Sequence, residues 1–151
     1  MKKFNTFYHT LTWTWGIIPN LIASIFVVPI FAVIHKADIT SETRYGRWVF
    51  IGGDNWGGLS LGNFIFMDKT SAKGTRIINH EIGHSLQNIL WGPLFLFVIG
   101  IPSFLRYWYR ETPIYLNNPE KHTDYDAIWF EGQATAWGTK YVEAYNKSKE
   151  V

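Results

Sequence analysis

The sequence predicts an α+β, mainly helical fold with a small β-hairpin and one or two membrane-associated apolar helical segments. Three observations carry that expectation: two long windows almost free of charge, a glycine-punctuated stretch rich in β-branched and aromatic residues between them, and helical patterning on either side of the second window. Residues 4–34 hold no Asp, Glu, Lys or Arg, and 16–34 read GIIPNLIASIFVVPIFAVI, about the length that crosses a bilayer. Lys2 and Lys3 precede this run, His35 and Lys36 follow it, and Trp13 and Trp15 stand at one end as interfacial anchors do. No small-x-small cleavage site follows, because Ile34, His35 and Lys36 occupy that region, so the segment reads as retained. Pro19 and Pro29 interrupt it, which leaves open a kinked span or a helical hairpin dipped into one leaflet. Residues 1–36 are therefore expected as an N-terminal membrane-associated segment and 37–151 as one domain.

Within that domain, 47–51 (RWVFI) and 59–67 (LSLGNFIFM) have strand composition, and 52–58 (GGDNWGG) supply turn chemistry between them, which predicts a β-hairpin. Gly62 inside the second strand signals a bulge or a close backbone approach. Thr75 is placed to cap a helix running to about Trp91. The second window, 82–105, has its apolar heart at 89–105 (ILWGPLFLFVIGIPSFL), with breakers at Trp91-Gly92-Pro93 and Gly100-Ile101-Pro102. The aromatic and basic residues from Arg106 to Arg110 suit a headgroup region. A last helix is expected from Thr123 or Asp124 to about Asn146, followed by a polar tail.

Composition narrows the function. With 151 residues the chain suits one domain with a real core, and 47% hydrophobic content excludes disorder. Charged residues reach 17%, below the roughly 25% usual for soluble domains. A net charge of +2 provides no basic field for nucleic acid. With 0 Cys there is no disulfide, thiolate nucleophile or thiolate metal ligand, so a metal site has to use His and carboxylates.

His80-Glu81-Ile82-Gly83-His84 is HExxH. Imidazoles at i and i+4 leave one helix face a turn apart and can take two corners of a zinc tetrahedron, with Glu81 beside the open corner as a general base. Ile78, Ile82, Leu86 and Ile89 fall on the opposite face, so one side packs and the other opens on a cleft. A catalytic site needs a third protein ligand. No third His follows at HExxHxxGxxH spacing, since Gln87 and Trp91 occupy that region, so the ligand has to be acidic: Glu111, Glu120, Asp124, Asp126, Glu131 or Glu143. Glu131 is favoured because its apolar and aromatic setting, WFEGQAT, makes an unpaired carboxylate expensive. Ala127, Ala134 and Gly138 form a small-residue stripe that lets its helix approach the HExxH helix closely.

HExxH followed some tens of residues later by Glu-x-x-Ala resembles the gluzincin pattern, and WGGLSLG, HEIGHSLQ, GPLFLFVIGIPS and WFEGQATAWG together resemble small membrane-associated bacterial proteins of zincin type. The resemblance implies a zincin-like domain in which His80, His84 and Glu131 hold zinc and Glu81 is the general base. Many gluzincins carry an Asp just beyond the third ligand to orient a motif histidine. Here Thr135 follows Ala134 with no Asp behind it, which leaves Asp124 or Asp126 for that role.

The expected activity is zinc-dependent hydrolysis of peptide bonds, with His122 or Tyr125 as a further donor to the oxyanion. The expected partners are membrane lipid and a peptide or protein substrate. The alternative is a non-catalytic membrane protein whose metal only fixes the fold or whose site has decayed, acting in assembly or interaction. A straight crossing by 89–105 would put Glu131 across the membrane from the histidines, so that window is expected to return as a re-entrant or interfacial hairpin, unless Glu131 is no ligand or the site lies within the bilayer. Lys36, Arg44, Arg47, Lys69, Lys73, Arg76, Arg106 and Arg110 then share one side, assigned by positive-inside reasoning to the cytoplasm of a bacterial inner membrane.

Overall fold

The strand-forming residues of the middle region build β1 (Thr40–Arg44), β2 (Arg47–Ile51), β3 (Gly58–Leu61) and β4 (Phe64–Met67), joined in the order β1-β2-β4-β3. The structure is a computed structural model that describes residues 2–149, with side chains from Thr6 onward, so the side chains of Lys2 and Lys3 and the last two residues of the tail lie outside it. The fold is α+β and mainly helical, as the sequence predicts.

The expected hairpin between 47–51 and 59–67 is not formed. Strand β4 runs parallel to β2, with Trp48 opposite Phe64 and Ile51 opposite Met67, while the 59–67 stretch breaks at Gly62 and folds β3 back antiparallel onto β4. Gly62 adopts a φ of 62°, and the side chain of the buried Asn20 sits against it and accepts from Asn63 N at 2.8 Å. The close approach expected at Gly62 is thus real, and it comes from the N-terminal helix. The glycine-rich loop before β3 does not turn one strand onto the other, because Asp68 at the end of β4 captures it through Trp56 N (3.2 Å) and Gly57 N (2.6 Å). Strand β1 carries no signal in the sequence, since TSETR is polar and largely exposed; the tight turn at Tyr45-Gly46, both at positive φ, recruits it to β2.

The N-terminal segment is α1 (Lys2–Trp13) followed by α2 (Ile17–Ile22), a π-helical turn (Ala23–Val27) and α3 (Val28–Ile34). The last three run on as one helix, 17–34, long and apolar enough to cross a membrane, with 22% of it buried in the protein. Pro29 does not break it. The wider turn just before the ring accommodates the missing N–H, and the same arrangement recurs at 96–100, just before Pro102. Contacts cross the expected boundary at residue 36: Tyr8 Oη donates to Ser85 Oγ (3.1 Å), and Asn88 Nδ2 donates to Gly16 O (3.3 Å).

Helix α4 (Arg76–Trp91) starts where expected, although the Thr75 hydroxyl makes no capping bond. It ends at Gly92, whose φ of 52° allows the chain to turn back against Trp15. The π-helical turn Leu96–Gly100 then leads into α5 (Ile101–Arg110), and the two arms are bent by 119°. The window is therefore sharply bent between 94 and 96, just after Gly92-Pro93, a geometry that fits a broken span as well as the expected re-entrant or interfacial hairpin.

After α6 (Pro113–Leu116), helix α7 (Trp129–Lys147) begins later than the expected Thr123 or Asp124. Arg106 donates to Asp124 O (2.9 Å) and Tyr125 O (3.1 Å), and Arg110 to Thr123 O (2.7 Å), which holds the preceding segment as a loop. These arginines serve the loop as well as any headgroup region. Arg47, counted in the sequence among the charges of one membrane face, is fully buried: it donates to Ser85 Oγ (3.0 Å) and Tyr45 O (2.7 Å), with Tyr8 and Tyr141 stacked on its guanidinium.

Helices α4 and α7 pack against each other over a core of Val49, Ile65, Met67, Ile78, Ile82 and Val142. A Cβ on Gly83 would overlap the Ala134 carbonyl, and one on Gly138 the Asn79 carbonyl, so these backbones meet directly. Ala127 lies in a short turn before α7, and the working stripe is Ala134 and Gly138. Gly138→Ala is expected to cost about 1–3 kcal/mol by overpacking a contact that has no side chain to yield, read as a lowered midpoint of urea unfolding; an unchanged midpoint contradicts this packing.

Candidate metal centre

Helix α4 presents His80 and His84 from successive turns, their rings nearly perpendicular with centroids 4.6 Å apart. The first turn of α7 brings Glu131 between them. Its Oε2 lies 3.0 Å from His80 Nε2 and 3.2 Å from His84 Nε2, and the whole side chain is buried. One ligand atom from each residue falls within 4.8 Å of the others, so the three can hold a metal ion.

The hydrogen bonds behind the imidazoles decide which nitrogen faces the centre. Thr135 Oγ1 donates to Asp126 Oδ1 (2.9 Å) and is left to accept from His80 Nδ1 (2.8 Å). Gln87 Nε2 donates to Phe130 O (2.7 Å) and Gln133 Oε1 (3.0 Å), which turns Gln87 Oε1 toward His84 Nδ1 at 2.8 Å. Both rings therefore carry a proton on Nδ1 and turn Nε2 toward Glu131. Oε2 of the buried Glu131 lies within hydrogen-bond distance of both Nε2 atoms, so a proton on one imidazole or a cation among the three holds them together, and the two-nitrogen, one-oxygen donor set suits a divalent metal.

Electrostatics agree. Burial opposes ionisation of Glu131, yet the two imidazoles outweigh it and hold the carboxyl far below the ordinary carboxylate range. Burial likewise opposes charge on His84, but its hydrogen bond to Glu131 and the charges of Glu81 and Glu131 raise its pKa. The site is built around positive charge. Glu81 is buried beside it and is pushed upward by desolvation against the pull of both histidines, the direction expected of a proton-accepting carboxylate in a dry cleft. Burial, then the charges of Glu131 and Glu81, raise Tyr125 well above the usual phenol range, so it stays an O–H donor. Its ring centroid lies 5.6 Å from that of His80.

Two cavities meet at this centre and share Gly58, Glu81, Tyr107 and Tyr125. One, of about 510 Å³, is bordered by Thr70, Ser71, Arg76 and Asp126. The other, of about 760 Å³, is bordered by Ile22, Leu61, Ile99, Phe104 and Trp108. Strand β3, at the edge of the sheet, contributes to both.

Five of the six expected site residues are thus assembled: His80, His84, Glu131, Glu81 and Tyr125. His122 is a correction. It stacks on Tyr115 with centroids 4.6 Å apart, its Nε2 lies 2.9 Å from Tyr115 O, and it borders neither cavity. Of the two acids offered for orienting a histidine, Asp126 serves, and it does so through Thr135. Gln87, Gln133 and Ser103, which bonds Tyr125, were not foreseen in these roles. A signal existed for two supports: Gln87 lies three residues after His84 and Thr135 four after Glu131, on the ligand-bearing faces of their helices. Comparison with protein-family models, curated proteins and solved structures finds no match.

Thr135→Val keeps the shape of the side chain and removes the bridge to Asp126; Gln87→Leu does the same behind His84. Each is expected to weaken metal affinity about 10- to 100-fold in competition with a chelator. Affinity unchanged in both variants would show that the imidazoles need no such support.

Proposed function

We propose that the protein is a membrane-associated zinc peptidase of gluzincin type. The observation that carries this reading is the convergence of His80 Nε2, His84 Nε2 and Glu131 Oε2 on one point with Glu81 beside it. Two imidazoles and one carboxylate are a ligand set of catalytic zinc, which leaves a fourth position open. A divalent ion held there supplies Lewis acidity, acidifying water and polarising the substrate carbonyl. Glu81, which borders both cavities, takes the proton of the attacking water and passes it to the leaving amine. Tyr125 donates its hydroxyl hydrogen to the developing oxyanion. The edge strand β3 offers unpaired backbone groups along which an extended peptide can align.

The helix 17–34 seats the protein in the membrane, and the α4–α5 hairpin lies at its surface. The catalytic part faces the cytoplasm of a bacterial inner membrane on this reading. With Arg47 buried and Arg106 and Arg110 bound to the 123–125 loop, that orientation leans on Lys36, Arg44, Lys69, Lys73 and Arg76.

Purified full-length protein is expected to carry stoichiometric zinc that is lost in His80→Ala and His84→Ala. It is also expected to hydrolyse a pool of casein peptides and to stop when EDTA strips the metal. Glu81→Gln should keep the zinc and lose at least about 100-fold in hydrolysis. Loss of zinc together with activity in Glu81→Gln contradicts its role as base, and a zinc-loaded wild type that cuts nothing favours a metal that only fixes the fold.

A further inference from the structure

We infer that the larger cavity binds the apolar segment of a membrane-inserted peptide, which reaches the metal centre from the bilayer side. This deepens the peptidase reading and rests on it. Glu81, His84 and Tyr125 line the same cavity as Ile22 of the apolar N-terminal helix and Phe104 and Trp108 of α5. One cavity thus joins the catalytic groups to the two apolar helices. Phe97, Ile101, Phe104, Leu105 and Trp108 are all exposed and recur mostly at three- and four-residue spacing, so one apolar stripe runs along the arm 96–110. Ile101, Phe104 and Trp108 belong both to that stripe and to the cavity wall, so the cavity opens on the apolar face that meets the bilayer on this reading.

The lining also distinguishes a peptide from a lipid. It holds the carboxyls of Glu81 and Glu111 but no Lys or Arg, so away from the metal centre no cationic side chain pairs with a phosphate or a fatty-acid carboxylate. A peptide segment brings no obligatory negative charge, and β3 runs alongside with its edge open to a peptide backbone. The smaller cavity is also mainly apolar in surface but carries more polar side chains, with Thr70, Ser71, Arg76, Asp126 and Thr135 among its residues, and it suits a more polar stretch beyond the bond to be cut. The substrate class is therefore a peptide that changes from apolar to polar at the cleaved bond.

Binding tests this without any hydrolysis. Full-length protein in phosphatidylcholine vesicles with EDTA is titrated against two labelled peptides that share a Ser- and Gly-rich half and differ in the other half, Leu-rich in one and Ser/Gln-rich in the other. Fluorescence anisotropy should show the Leu-rich peptide binding at least tenfold tighter. Phe104→Asp, at a half-exposed position, should erase most of that difference; Gly100→Leu, which fills the cavity from a position with no crowded neighbour, should act likewise if Phe104→Asp does not fold. Equal binding of the two peptides overturns the inference, as does binding of a labelled dodecanoic acid where the Leu-rich peptide fails to bind. Selective binding by a zinc-loaded protein that cuts neither peptide refutes the peptidase reading alone, whereas hydrolysis of both peptides with equal affinity refutes the inference alone.

Discussion

The close approach of α4 and α7 is the constraint on which the rest depends. Where Gly83 meets Ala134 and Gly138 meets Asn79, backbone touches backbone, and only at that separation does a short side chain from α7 reach two imidazoles on α4. Packing and chemistry are coupled through two residues that have no side chain. The same proximity brings Thr135 and Gln133 into hydrogen-bond range of His80 and Gln87, so the supports of the histidines arrive with the ligand.

Those supports give the centre its sign. Each Nδ1 donates to an acceptor whose own donor capacity is used elsewhere, which turns both Nε2 atoms toward Glu131. A buried carboxylate needs a positive partner, and this arrangement can supply one as a protonated imidazole or as a metal ion held by the three side chains.

Much of this was legible in the sequence. HExxH at helical spacing and an acid placed at high cost in an apolar helix point to His80, His84, Glu81 and Glu131 from local pattern alone, and the structure brings these side chains together. The apolar window at 16–34 was equally plain, and one helix of that length stands there. Features set by tertiary contact were not legible. Strand β1 is polar and exists because a turn delivers it to β2, and the parallel pairing of β2 and β4 arises from Asp68 capturing a loop that reads as a hairpin turn. Arg47 reads as a surface cation and is instead the buried tie between α1, the sheet and α7, held by aromatic faces and neutral oxygens. His122 looked placed to act because it precedes Glu131 in the chain, but the arginine-held loop carries Tyr125 to the site and leaves His122 stacked on Tyr115.

The central claim is that two imidazoles and one distant carboxylate hold a single divalent ion. Zinc K-edge X-ray absorption of the loaded full-length protein tests it most directly, compared between wild type and Glu131→Gln. The account predicts two nitrogen ligands at about 2.0–2.1 Å with oxygen ligands at about 2.0–2.2 Å, and a first coordination sphere that changes in Glu131→Gln. A zinc spectrum identical in the two proteins, or one that requires ligands other than the two histidines, would contradict it.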